Sequence, residues 1–264
     1  QMGRIRLGKR TEKRNPLIQE LVPLTALDGL VFGGWDIFGG DMYDVSTTAE
    51  VIDRSLLDQI KDELQTIKPF PGAFDSNFVK RLNGTHMKTG TRREMAEAVR
   101  ADIRAFKADN GLQRAVMVNC CSTEVYIESS DVHMTIESFE AGLDADDQRI
   151  SPAMIYAYAA IQEGVPYANG TPSLAADIPA LEALAHERSV PTGGKDFKTG
   201  QTLMKTVLAP MFKARMLGVK GWFSTNILGN RDGEVLDEPE AFKSKEKTKL
   251  GVLDSILRPE HHPE

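Results

Sequence analysis

The residues best equipped for chemistry lie between Gly193 and Lys249. Gly193-Gly-Lys-Asp-Phe-Lys-Thr-Gly-Gln-Thr-Leu-Met-Lys205 combines a glycine pair, a polar stretch and a Thr-Gly step that can open a helix. Such a backbone can hold an anion on the free N–H groups of a helix N-terminus. Lys198 and Lys205 are seven apart, about two turns if both are helical. The P-loop pattern is absent, and a turn with solvated lysines is the plain alternative. Asn226-Ile-Leu-Gly-Asn230-Arg-Asp232-Gly suits recognition of hydroxyls and placement of charges, although Asn/Asp/Gly turns are common in any protein. Lys243, Lys245, Lys247 and Lys249 alternate; on a helix Lys245 and Lys249 share one face and Lys243 and Lys247 another. A charge run is usually a solvated face. A desolvated ammonium, however, binds phosphate and can act as acid or base, as a phosphorylated, enolising substrate requires. Cys120 and Cys121 read as small buried residues rather than nucleophiles. His86, His133 and His186 stand alone, His261-His262 fall in the tail, and no cluster has metal-ligand spacing, so no metal site is expected.

These groups need elements to hold them. With 264 residues, 41% hydrophobic and 27% charged, the chain can bury the core of one large or two modest domains and is not disordered. A net charge of −6 argues against attraction of the whole surface to nucleic acid or anionic lipid. Two adjacent cysteines supply no disulfide framework, and no apolar run approaches the ~20 residues of a membrane span. The basic start leads into no signal core. A soluble cytoplasmic protein with no nucleic-acid or membrane partner is expected.

Residues 29–38 read as a short buried strand entering a glycine-rich turn. Val51, Ile52, Leu56, Ile60, Leu64 and Ile67 recur at helical spacing across 46–67. A second helix over 93–108 turns Met95, Val99, Ile103 and Phe106 inward and stops at Asn110-Gly111. Residues 115–118 then read as a buried strand ending in small polar residues, and Val132 to Phe139 is either a strand or a bridging element. Ser151 caps a helix through Gln162 with Pro152 at its first position, and a strand over 165–168 follows. Asp177 starts a helix to about Glu187. Another runs from Thr199 or Gly200 to Met216 with Met204, Leu208 and Met211 inward. Residues 221–224 form a strand, and a last helix covers 247–257. Helices alternating with short apolar strands predict a parallel α/β sheet whose ligands bind at the strands' C-terminal ends.

Seven strings, in order along essentially the whole chain, resemble the myo-inositol-1-phosphate synthase (inositol-3-phosphate synthase) family. They are Met2-Gly-Arg-Ile-Arg-Leu-Gly-Lys-Arg-Thr-Glu, Gly34-Trp-Asp-Ile37, Val118-Asn-Cys-Cys-Ser-Thr-Glu124, Glu163-Gly-Val-Pro-Tyr-Ala-Asn-Gly-Thr-Pro172, Lys195-Asp-Phe-Lys-Thr-Gly-Gln-Thr202, Ser224-Thr-Asn-Ile-Leu-Gly-Asn-Arg-Asp-Gly233 and Phe242-Lys-Ser-Lys-Glu246. The resemblance implies a cytoplasmic, homotetrameric, NAD-dependent isomerase that turns D-glucose 6-phosphate into 1D-myo-inositol 3-phosphate. NAD⁺ oxidises C5, an enolate at C6 attacks the C1 aldehyde, and the NADH formed returns its hydride. It also implies an α/β fold, with part of a Rossmann-type NAD-binding domain over 1–148 and the start of an α+β catalytic and tetramerisation domain over 149–264. Carried over by motif, Lys198, Lys205, Lys245 and Lys249 are catalytic, with Asp196 and Asp232 orienting them. Ser224, Asn226 and Asn230 hold substrate hydroxyls, and Asp36, Asn119, Cys120, Ser122, Thr123 and Asn169 contact NAD. The family's Gly-rich pyrophosphate loop is missing, and members continue beyond the equivalent of Glu264, so these residues look like the middle of a longer enzyme. An ordinary NAD-linked sugar-phosphate oxidoreductase and a non-catalytic subunit of the same fold are the alternatives.

Overall fold

The computed structural model describes residues 16–22, 24–197, 200–225 and 232–258 and, within these, every side chain except 232, 244–248 and 250. Residues 1–33 and 34–264 form separate compact units. In the first, α1 (Ile18–Leu21) is one turn whose Glu20 carboxylate accepts from the Leu17 N–H at 3.1 Å. Val31 and Phe32 are exposed there. The strand expected over 29–38 therefore shrinks, in the second unit, to β1 (Trp35–Asp36).

The second unit opens with β1 paired in parallel with β2 (Phe70–Pro71). Between them the single helix expected over 46–67 is broken into α2 (Met42–Ala49), α3 (Arg54–Leu57) and α4 (Lys61–Leu64). Local chemistry overrides the apolar spacing. Asp41 caps α2 by accepting from the Asp44 N–H at 3.0 Å, Glu50 ends it in a left-handed conformation, and Asp53 caps α3. Leu57 is buried in place of Val51, Ile52, Leu56 and Ile60, which are exposed.

Helix α5 (Arg92–Asp109) buries Met95, Val99 and Ile103, and Gly111 follows it at φ 61°. Phe106 is only half-buried. The strand after it is β3 (Met117–Asn119), on which Val118 points outward. Residues 132–139 are no strand: a 3-10 turn leads into α6 (Ile136–Asp144), capped by Thr135. Helix α7 (Pro152–Gln162) begins where Ser151 and Pro152 predict, and Ala153 through Ile161 are all buried, so it is apolar all round and runs through the core. Next come β4 (Tyr167–Asn169), α8 (Pro179–Arg188) and β5 (Thr192–Gly194). Asp177 does not start α8; its carboxylate pairs with Lys195 at 2.8 Å. Strands β3, β4 and β5 lie in that order, all parallel, so Asn119, Asn169 and Gly194 end side by side.

Helix α9 (Gly200–Ala214) packs on α11 (Pro239–Leu257), with α10 (Asp232–Leu236) leading into the latter. The inward face of α9 is Thr202, Lys205 and Ala209, while Met204 and Met211 are half-exposed; the expected face is one position off. Residues 221–225 form no strand, and Phe223 is 97% exposed. The last helix starts eight residues earlier than Lys247, at Pro239. Val235 of α10 and Ala241 in the first turn of α11 dock on Phe78, Val79 and Leu82, and the Tyr126 N–H donates to the Glu240 carbonyl at 3.0 Å. The architecture is α/β with parallel strands. Among the described residues no helix is long and apolar enough to cross a membrane.

Candidate active site

Two groups of polar side chains collect at loop and helix positions that the strands and the α9–α11 pair define. The first lies at the C-terminal ends of β3, β4 and β5. Asn119 Nδ2 donates to Asn169 Oδ1 at 3.3 Å, and that oxygen also accepts from the Thr171 N–H and hydroxyl. Asn169 Nδ2 donates to the Ser173 carbonyl at 2.8 Å, and Asn119 Oδ1 accepts from the Cys121 N–H at 3.1 Å. Asn119, Asn169, Thr171 and Ser173 are all buried, so two asparagines act as posts that fix the loops after β3 and β4. Close backbone approach needs glycine here: at Gly194, φ +116°, a Cβ would collide with the Asn169 carbonyl oxygen. Asp36, at the end of β1, accepts from the Phe38 N–H. Both cysteines are exposed, correcting the expectation that they are buried. The exposed surface of Cys121 does not make its thiol reactive: the sulfur is desolvated and, with the Glu124 carboxylate beside it, pushed up to about 12, with Asp36 adding to the shift.

The second group forms between α9 and α11. Lys205 has no exposed surface, its Nζ donates to the Lys249 carbonyl at 2.8 Å, and it lies 5.6 Å above the Trp222 ring. Trp222 Nε1 in turn donates to Ser224 Oγ at 2.7 Å. Burial, then the Lys249 charge, hold the Lys205 ammonium below the usual lysine range. A buried lysine with an aromatic face and a second lysine for company is primed to exchange a proton. Lys243 goes elsewhere, its Nζ 5.0 Å over the Tyr126 ring.

Asn119 and Asn169 therefore meet at one strand edge, with Cys120, Ser122 and Thr123 on the loop that follows Asn119, and Lys205, Lys249 and Ser224 gather around Trp222. Asp196 donates its N–H to the Thr171 carbonyl at 3.0 Å, tying it to the strand edge, and its buried Oδ2 has no partner among the described residues. Lys198, Asn226 and Asn230 lie outside the described residues, as do the side chains of Lys245 and Asp232. The residues that pattern reading missed are Thr171, Ser173, Glu124 and Trp222. The first three adjoin or close the strings around Asn119 and Asn169, and an Asn-x-Thr-x-Ser alternation after a strand was the signal to follow. Among the described residues no group of three or more His, Cys, Asp and Glu is set to hold a metal ion. The set of amide and hydroxyl donors and carboxylate acceptors, with a glycine-narrowed edge, fits the sugar and carboxamide of a dinucleotide.

A family model of an NAD-binding domain described as myo-inositol-1-phosphate synthase matches residues 1–252. Inositol-3-phosphate synthase 1 of Bacteroides thetaiotaomicron is 54% identical, over 100% of this chain and 61% of its own length. Inositol-3-phosphate synthase 1 of Oryza sativa subsp. japonica is 35% identical over 93% of this chain and 50% of its own. The chain thus spans about half to three-fifths of the length of these curated relatives. The crystal structure of inositol-3-phosphate synthase from Caenorhabditis elegans superposes with a TM-score of 0.88 at 29% identity, covering 97% of this chain and 53% of that one. A myo-inositol-1-phosphate synthase-related protein from Thermotoga maritima, at 22% identity and TM-score 0.60, covers 84% of this chain and 57% of its own and shares the fold.

Proposed function

Because the chain belongs to the myo-inositol-1-phosphate synthase family, we propose that it carries out the NAD-dependent isomerisation of D-glucose 6-phosphate to 1D-myo-inositol 3-phosphate. The observation that carries this is Lys205, wholly buried, hydrogen-bonded to a main-chain carbonyl and electrostatically coupled to Lys249. Its lowered proton affinity suits it to take a proton from the carbon next to a ketone and to return one later. Lys249 stabilises the oxyanion that this removal creates, and the pair, with Lys198 and Lys245, neutralises phosphate. Asp196 and Asp232 orient these lysines, and Ser224, Asn226 and Asn230 hold sugar hydroxyls. Bound NAD supplies a hydride acceptor that later gives the hydride back; Asp36, Asn119, Cys120, Ser122, Thr123 and Asn169 hold it, the two asparagines mainly by fixing the loops. The proposed division between a nucleotide-binding part, 1–148, and a catalytic and tetramerisation part, 149–264, is one of role, since β3 and β4 pair across it. A cytoplasmic homotetramer goes with this reading, supported by the exposed Leu203, Met204, Val207 and Met211 on α9.

Incubation with NAD⁺ and glucose 6-phosphate, followed by phosphorus NMR and absorbance at the NADH band, tests it. Inositol phosphate without accumulating NADH is expected. NADH released in step with substrate loss would make it a sugar-phosphate oxidoreductase instead, and neither product a non-catalytic subunit; either overturns the proposal.

A further inference from the structure

The buried carboxyl of Glu124 takes part in none of those steps. Its Oε1 accepts from the Ala153 N–H at 2.9 Å and the Ser151 hydroxyl bonds to it, so it sits on the first turn of α7, an eleven-residue helix. Its own N–H donates to Ser173 Oγ at 3.0 Å, and the Ser173 N–H donates to Thr171 Oγ1 at 3.3 Å. Through Thr171 and Asn169 the chain of bonds returns to Asn119, five residues before Glu124. Residues 120–123 are therefore a four-residue span fixed at both ends. One end is Asn119, pinned to Asn169; the other is Glu124, pinned to α7 and to the loop after β4. Three of the residues assigned to the nucleotide, Cys120, Ser122 and Thr123, ride on that span. Both pins are buried, so solvent cannot replace either bond cheaply if it is removed.

We propose that Glu124 is a positioning residue: by seating the end of the 119–124 loop on α7 and on Ser173, it sets the conformation in which Cys120, Ser122 and Thr123 meet the nucleotide. This rests on the reading of the β3–β5 edge as the NAD site. The carboxylate acts through the loop backbone and touches no reacting atom. Its chemistry is that of an acceptor, so an amide of the same shape can replace it: a Gln Oε1 still accepts from the Ala153 N–H and its NH₂ can donate to Ser151.

The test is NAD⁺ affinity by titration calorimetry, with KM and kcat for NAD⁺ wherever turnover is measurable. It uses the unsubstituted protein and its Glu124→Ala, Glu124→Gln and Ser173→Ala variants. Glu124→Ala is expected to weaken NAD⁺ binding at least tenfold, the loss falling on KM rather than kcat. Glu124→Gln should restore affinity to within threefold. Ser173→Ala, which removes the acceptor for the Glu124 N–H while leaving the carboxyl seated, should weaken binding in the same direction and decides the matter if Glu124→Ala does not fold. Unchanged NAD⁺ affinity in Glu124→Ala or, where that variant fails, in Ser173→Ala overturns the proposal, whatever happens to thermal stability. So does a Glu124→Gln variant as weak as Glu124→Ala, because charge rather than seating would then be at work. An unsubstituted protein that binds no NAD⁺ overturns the site reading itself, and the proposal with it; one that binds NAD⁺ while the variants match it overturns the proposal alone.

Discussion

At the scale of single residues, burial decides what a charge can do. Lys205→Ala and Lys249→Ala are each expected to cost 10²-fold or more in kcat, the usual size of a lost proton-transfer or oxyanion partner. Lys205→Met separates role from fold. It keeps an apolar stem in the same space and removes a charge that the site holds at a cost, so turnover should vanish while the melting temperature stays level or rises; a fall of several degrees would show that the ammonium stabilises the fold. Glu124 gives a pH signature. Desolvation, with the Asp75 charge adding to it, raises its carboxyl from 4.5 to about 7. The native state therefore binds a proton that the unfolded state releases between those values, and stability falls as pH rises from about 4.5 to 7, then levels off. The size is about 3 kcal/mol at 1.36 kcal/mol per pH unit. Urea unfolding at a series of pH values should show this decline, and Glu124→Gln should flatten it. Lys205 shows why residue type alone misleads. On α9 the spacing of the apolar Met204 and Met211 predicts an inward face, yet both are exposed and the polar Thr202 and Lys205 are the buried ones. A buried polar group at a site inverts the usual link between hydrophobicity and burial.

At the scale of elements, caps proved more legible than periodicity. Ser151-Pro152 opens α7 where predicted and Gly164 follows its end at φ 68°, because both signals act within one turn of chain. Over 46–67 the apolar spacing is helical, but Asp41 and Asp53 are each good N-caps and start separate helices. Of the strands expected, those over 115–118 and 165–168 match β3 and β4 to within about two residues, while β2 and β5 carry no signal, since a two- or three-residue parallel strand has little pattern of its own. The stretch Gly221-Trp-Phe-Ser224 has the composition of a buried strand and is not one among the described residues; composition cannot supply a ladder partner. The strand edge is tight enough to test. Gly194→Ala forces a Cβ into the Asn169 carbonyl at a φ that alanine avoids. A loss of about 1–3 kcal/mol in urea unfolding is expected. At the neighbouring Gly193 an added methyl would meet nothing within 4 Å, so alanine there should leave stability nearly unchanged.

At the scale of the whole molecule, a net charge of −6 conceals a cationic region built from α9 and α11. The two helices carry six lysines against three carboxylates, a local surplus that favours an anionic substrate. The same helix α9 that turns Lys205 inward turns Leu203, Met204, Val207 and Met211 outward. If that face joins copies of the chain, Val207→Glu should lower the mass seen by light scattering, and an unchanged mass would remove α9 from the interface. The candidate site was legible as strings of residue types; their grouping was not, because Asn119 and Asn169, 50 residues apart, meet only through the parallel register of β3 and β4.

The bond from Lys205 to the Lys249 main-chain oxygen has a mechanical consequence. It joins the ammonium to the spine of α11 instead of to a swinging side chain, so Lys205 senses where that helix stands. Were α11 to slide by one residue, about 1.5 Å along its axis, the donor would lose its acceptor. The Lys249 charge that depresses its proton affinity would shift as well. The proton affinity of Lys205 thus works as a gauge of the spacing between two helices.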